Sequence, residues 1–164
     1  GRAIFASKEI PANFPTDEVI GEGITVSGRN YAVNCVSVGN PHCVIMRDIL
    51  DMDEIKTYGR EIEHHPAFPN RINVQFAKVL SRKEAEILIW ERGAGFTLAS
   101  GSSSCAVACV LRKKGLVDDE ITIKMPGGQL HILIDDQWNI RMTGPARQIA
   151  EGILNDELIE DFSL

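Results

Sequence analysis

Long hydrophobic runs are missing from this chain of 164 residues. Its apolar runs, such as 87–90 and 105–111, fall far short of the roughly 20 residues that a membrane-spanning helix needs. No basic segment followed by an apolar stretch opens the chain, so secretion is not expected. Positive charge is also scarce. The net charge is −6, and the only basic run is Arg112-Lys113-Lys114. Nucleic-acid backbones are held by clustered cations, so a nucleic-acid partner is not expected. The basic run lies just before Gly115, where a helix C-terminus favours cations. Four cysteines (Cys35, Cys43, Cys105 and Cys109) are too few for a disulfide framework. Reduced thiols and a cytoplasmic location follow as the expectation. An initiator methionine is absent too: Gly1-Arg2-Ala3-Ile4-Phe5 runs straight into apolar sequence and reads as part of a longer protein.

What is present is ordinary globular composition, 44% hydrophobic and 24% charged, which excludes a disordered tail, a collagen-like repeat or a coiled coil. A chain of this length buries about two thirds of its unfolded surface in one core, so a single domain over 1–164 is expected. Alternation of Ile24 and Val26, a turn at Gly28, then alternation of Tyr31, Val33 and Cys35 predicts a hairpin over 23–39. A helix over 51–64 is predicted from an Asp51–Glu54 capping box and an apolar stripe of Met52, Ile55, Tyr58 and Ile62, closed by Pro66. Strands are predicted over 73–80 and 84–91, the second apolar enough at its end to be covered on both faces. Three further period-2 stripes (Ile121, Ile123, Met125; Leu130, Ile132, Ile134; Trp138, Ile140, Met142) predict an antiparallel meander.

Between these regions, residues 105–111 are apolar on every side, and a helix without a polar face belongs in the interior. Ser102-Ser103-Ser104 would start it, and the basic run with Gly115 would end it. The expected architecture is therefore α+β: a curved, mostly antiparallel sheet or barrel wrapped round one central buried helix. The helix N-terminus would open where the preceding strand delivers Glu91 and Arg92. Small residues there (Ala99, Ser100, Gly101, Ser102, Ser103) leave backbone N–H groups and a positive dipole end for a carboxylate or phosphate. Simple capping by serine is the commoner reading of such a start. Glu91 and Arg92, at the end of a buried run, are either paired with each other or functional. Asn40, His42 and Asn73 are in themselves ordinary loop residues. Cys105 and Cys109 lack the partners of a metal set and read as core thiols; no metal site is expected. His64-His65 reads as a helix end, and the glycine spacing of GAGFTLASG is not a dinucleotide fingerprint.

The segments SVGNPHCV, FPNRINVQFAKVLSR, WERGAG and TLASGSSSCA resemble, in order and spacing, motifs of the diaminopimelate epimerase family, and GRAIFASKEIP resembles the start of that family's second half. The family comprises amino-acid epimerases that use no pyridoxal phosphate or other cofactor. The resemblance implies a two-domain protein of pseudo-symmetric halves, each a curved sheet round a central helix, with the active site between them. One cysteine from each half exchanges a proton at the substrate's α-carbon, inverting it. The partners so implied are a carboxylate-bearing amino acid and a missing N-terminal half; the face that half would cover is expected to favour a homodimer. An isolated half is expected to be inactive, and a diaminopimelate substrate would place the chain in lysine and peptidoglycan precursor synthesis.

Carried over by position, Gly101 and Ser102 bind the α-carboxylate. By the same resemblance Asn40, Asn73 and Arg92 would bind the distal end, Glu91 would stand beside the cysteine position of this half, and His42 would lie near the cysteine of the other. That cysteine position is occupied by Ser100, while Phe96 replaces a glutamate and Ser103 a glycine. A thiol ionises near 8.5 and a hydroxyl nearer the roughly 15.7 of water, so Ser100 is a poor base without activation. The departures admit an epimerase with weaker acid/base groups, a one-base isomerase or dehydratase, a silencing substitution, or an amino-acid-binding module that has lost its chemistry.

Overall fold

A computed structural model describes residues 1–153 and 155. The expected single domain over 1–164 thus includes residues 154 and 156–164, which lie outside the described residues. After a short 3₁₀ turn at Ser7–Glu9 come β1 (Ile20–Val26), β2 (Arg29–Ser37), β3 (Pro41–Met46), α1 (Met52–Glu63), β4 (Asn73–Ser81) and β5 (Glu84–Glu91). There follow β6 (Gly95–Thr97), α2 (Gly101–Lys113), β7 (Glu120–Met125), β8 (Gly128–Ile134) and β9 (Ile140–Thr143). The strands form one open sheet in the order β1-β2-β3-β4-β5-β7-β8-β9, with β6 paired to β5. Pairing is antiparallel except at β3–β4 and β5–β7. Those two pairs are joined through α1 and through α2, the long crossovers that parallel neighbours require.

The expected α+β class and central helix are present. Strands carry apolar residues on both faces because each face packs on a helix. Toward α2 they send Val36, Val44, Ala77, Ile87 and Ile89, which meet the buried helix residues Ala106 to Leu111. Toward α1 they send Cys35, Ile45, Val74, Phe76 and Leu88, which meet Ile55 and Ile62. The continuous apolar run in β5 is this double coverage read along one strand. α2 ends as its sequence dictates. Gly115, at φ +70°, donates to Arg112 O and Leu116 donates to Leu111 O, the paired bonds of a Schellman stop.

Several local expectations change. Asp51 caps α1 by accepting from Asp53 N and Glu54 N, but Glu54 does not reach back to complete a capping box. Its carboxylate is nearly buried and is bound by Arg47 and by the Tyr31 hydroxyl. Met52 is exposed, because the stripe that packs is centred on Ile55, Gly59 and Ile62. Trp138 lies in the turn before β9 at φ +65° rather than in the strand. It packs edge-on against Phe5, with ring centroids 5.0 Å apart.

Residues 1–6 cross the open side of the sheet. Ala3 N donates to Trp138 O and Ile140 N to Gly1 O, while Ile4 and Ser37 exchange both backbone bonds. The start of the chain thereby ties β2 to β9 and completes the enclosure of α2.

Gly59 is where α1 touches the sheet most closely. A Cβ there would lie 2.7 Å from the indole of Trp90, whose Nε1 is held by Glu63 Oε2 at 2.8 Å. Gly59→Ala is expected to destabilise the protein by about 1–3 kcal/mol through overpacking, despite a helix-propensity gain of up to about 1 kcal/mol. Urea unfolding checks this; unchanged or higher stability would mean the indole moves aside freely.

Candidate active site

The first turn of α2 is where the polar part of the interior begins. Ser100 is the N-cap residue, extended at φ −155° and ψ 124°, and its Oγ accepts from Ser103 N at 3.5 Å. The helix starts at Gly101, and the expected serine triplet lies in its first turn. Ser103 and Ser104 are buried, and both hydroxyls are engaged. Ser104 Oγ donates to Ser100 O at 2.9 Å, and Ser103 Oγ accepts from Gln75 Nε2 at 3.1 Å. Gly101 and Ser102 are half-buried, and their N–H groups belong to the turn that has no acceptor within the helix. Glycine fits at 101 because the Met142 side chain of β9 lies 3.1 Å from where a Cβ would be. Beside this turn is a cavity of about 280 Å³ between Ala99, Ser100 and Gly101 on one side and Met125 and Leu130 on the other.

Strand register delivers the remaining residues to the same end of the inner face. His42 lies opposite Asn73 across β3–β4, and Val74 lies opposite Trp90 across β4–β5. The start of β3, the start of β4 and the end of β5 are therefore level. His42 is fully buried, and its Nε2 lies 2.9 Å from Asn40 Oδ1. That partner assigns the proton of the neutral ring to Nε2 and leaves Nδ1 a bare acceptor. Burial pushes the His42 pKa down to about 4, and the Arg92 charge adds to the effect. Gln75 pulls the other way, although among the described residues neither its Oε1 nor His42 Nδ1 has a hydrogen-bond partner. The ring is neutral at pH 7.

Asn73 is a brace: its Nδ2 donates to Pro41 O at 2.8 Å and its Oδ1 accepts from Arg92 N at 3.0 Å. This joins the β2–β3 loop carrying Asn40 to the turn carrying Arg92. The Arg92 side chain is exposed and donates from Nη1 to Asn70 O at 3.2 Å. Glu91 is half-buried opposite Gly95. Among the described residues Glu91 and Arg92 do not pair with each other. The arrangement offers two sets of anion-binding donors, the α2 N-terminus and Arg92, with a carboxylate and a neutral imidazole at the same end.

Sequence reasoning missed two residues here. Gln75, fully buried, stands on the inner face of β4 between Asn73 and Ala77. Its signal was a polar residue in phase with the inward positions. Glu63, also buried, accepts from Trp90 Nε1 and Gly93 N, and its signal was an acid at a helix C-terminus, where the dipole opposes it. Elsewhere, Cys105 and Cys109 are buried in the core and burial raises both thiols. His64 caps the end of α1, with Nδ1 2.8 Å from Arg60 O. No described helix is long and apolar enough to cross a membrane.

A family model described as diaminopimelate epimerase matches residues 34–149. Among curated proteins, diaminopimelate epimerase 2 of Nostoc is 45% identical over 96% of this chain and 55% of its own length. The diaminopimelate epimerase of Acaryochloris marina is 40% identical over 93% of the chain and 55% of its own. That of Halothermothrix orenii is 39% identical, covering 93% and 54%. The chain therefore spans about half the length of the curated relatives it matches. Among solved structures, a hydroxyproline epimerase from Agrobacterium vitis, crystallised with trans-4-hydroxy-L-proline, aligns with a TM-score of 0.53 at 11% identity. It covers 76% of this chain and 48% of that one, a likeness of fold alone.

Proposed function

The chain belongs to the diaminopimelate epimerase family, and from that premise we propose that it is the C-terminal half of an amino-acid epimerase working without pyridoxal phosphate, with diaminopimelate as the first substrate to test. On this reading the N–H groups of Gly101 and Ser102 hold the α-carboxylate and stabilise charge that develops when the α-proton leaves, as an oxyanion hole does. Arg92 grips a second carboxylate, with Asn40 and Asn73 completing the distal pocket. Ser100 occupies the proton-transfer position of this half, Glu91 stands beside it, and His42 serves a thiol supplied by the preceding half. No cofactor enters the scheme, the location is cytoplasmic, and the chain alone does not turn over substrate. Leu98 and Met142, exposed beside the helix end, suit contact with the preceding half or with a second copy. What supports the proposal is that the first turn of the buried helix bonds through Ser103 to Gln75, one inward position along β4 from Asn73, which is level with His42 and bonds to Arg92 N.

The test is an NMR titration of the ¹⁵N-labelled chain with meso-diaminopimelate and with L-alanine. Diaminopimelate is expected to shift Gly101, Ser102 and Arg92, and alanine only the first two. Arg92→Ala is expected to weaken diaminopimelate by about 10- to 100-fold, the worth of a charged hydrogen bond. No shift at Gly101 and Ser102 with either ligand would sink the carboxylate site.

A second reading is favoured by the Ser100 hydroxyl facing Ser103 N as a helix cap. In that reading Ser100 is structural. The protein is then a one-base isomerase or dehydratase, in which the other half removes the proton, or a binding module without chemistry.

A further inference from the structure

We propose that Glu63 is the positioning residue for Arg92: its carboxylate clamps the 90–93 turn and so sets where the guanidinium points. The inference rests on the carboxylate-binding reading above, in which Arg92 grips the distal end of the ligand.

Glu63 is the last residue of α1 and is 2% exposed. A carboxylate there faces the negative end of the helix and has given up most of its water, two costs that need compensation. Both of its hydrogen bonds come from the turn that carries Arg92. Oε2 accepts from Trp90 Nε1 at 2.8 Å, and Oε1 accepts from Gly93 N at 3.0 Å. Arg71 adds an ion pair at 3.6 Å and His64 approaches at 3.9 Å. The adjacent amide, Arg92 N, is held from the other side by Asn73 Oδ1. Two consecutive N–H groups are thus fixed by side chains of different elements, and Ala94 N closes the turn on Glu91 O at 3.1 Å. Gly93, at φ +81°, supplies the left-handed backbone that lets both amides be held at once. The guanidinium itself is exposed and, among the described residues, anchored only to Asn70 O, so its direction is inherited from this clamped backbone.

Glutamine at 63 has the same shape but one acceptor oxygen, so its amide would face either the indole N–H or the Gly93 N–H with another donor. Alanine removes both acceptors. The experiment uses the ¹⁵N-labelled chain as wild type, Glu63→Gln and Glu63→Ala, with circular dichroism confirming the fold. It reads amide hydrogen exchange at Gly93, ¹⁵N order parameters at 91–94, and affinity for meso-diaminopimelate and L-alanine. In the wild type the Gly93 amide is expected to be protected and the turn to show order parameters near about 0.85. In Glu63→Ala the exchange rises at least about tenfold and the order parameters fall toward about 0.6, with Glu63→Gln intermediate. Diaminopimelate binding weakens about tenfold or more while alanine binding stays within about twofold, the pattern expected of Arg92→Ala. A general loss of structure would weaken both ligands alike.

Unchanged exchange and order at Gly93 in either folded variant would overturn the inference. So would a wild-type Gly93 amide that exchanges as fast as an unstructured peptide, an outcome that needs no variant. If the wild type binds neither ligand, the carboxylate-site reading falls and the exchange data still decide whether Glu63 clamps the turn.

Discussion

Ser100→Cys is expected to raise α-proton exchange from meso-diaminopimelate in deuterated water by about 10²- to 10⁴-fold, the range that a matched acid/base group contributes. The protein for this measurement is a chimera in which the chain replaces the matching 55% of the Nostoc relative. The size of the effect follows from ionisation. A thiol near 8.5 can be drawn toward neutral pH by the positive end of α2, whereas a hydroxyl starts about seven units higher. Glu91, the acid placed beside Ser100 by the reading proposed above, carries the wrong charge to offset that gap. The substitution also removes a cap. Ser100 Oγ receives Ser103 N at 3.5 Å, so a stability loss of no more than about 1 kcal/mol is expected alongside the gain in rate. Equal exchange by serine and cysteine forms would remove residue 100 from the proton path. Label entering without inversion in the serine form would identify a one-base enzyme. Binding without exchange in both would identify a binding module.

Acid should weaken the fold through His42. Its pKa lies at about 4 in the folded protein against 6.5 for an unperturbed imidazole, burial being the main cause. Between those values the unfolded chain takes up a proton that the folded protein refuses, so unfolding gains ground as pH falls. The stability associated with His42 is complete above about pH 6.5, declines from there to about pH 4, and then levels. The loss over the window is about 3 kcal/mol. Because carboxylates begin to titrate at the acid end, the informative quantity is the difference between wild type and His42→Gln in urea unfolding at a series of pH values. The variant should lack this decline. Parallel stability curves for the two proteins would mean that the folded ring takes its proton as readily as a free one.

Local alternation made much of this fold legible. The strands over 84–91 and 73–81 could be read almost to their ends because continuous apolar phase persists along both, and the Asp51 cap and Gly115 stop mark their helices chemically. The exact cap of α2, Ser100, is not legible because serine serves equally before a helix and in its first turn. The parallel β3–β4 and β5–β7 pairs left no trace in the sequence, since register between distant strands depends on which helix crosses between them. The two-sided apolar content of β5 signalled double coverage but not that α1 was the second cover. The charges at the end of β5, Glu91 and Arg92, are a signal in the sequence itself, whereas Asn40, His42 and Asn73 read there as ordinary loop residues and gain proposed roles only through the resemblance. Gln75 and Glu63 escaped because inward polar residues look like surface residues until their partners, Ser103 and the 90–93 turn, are brought to them.

The tie between residues 1–6 and β9 has a consequence for synthesis. Arg2 bridges to Asn139 and Ile4 to Ser37, so the earliest residues of this segment to leave the ribosome await some of the last. At about 5–20 residues per second the delay is on the order of ten seconds. Through that interval the apolar wall that will receive α2 stands open, with Ala3 and Phe5 unburied at its rim. The pace of translation between Phe5 and β9 sets how long that exposure lasts.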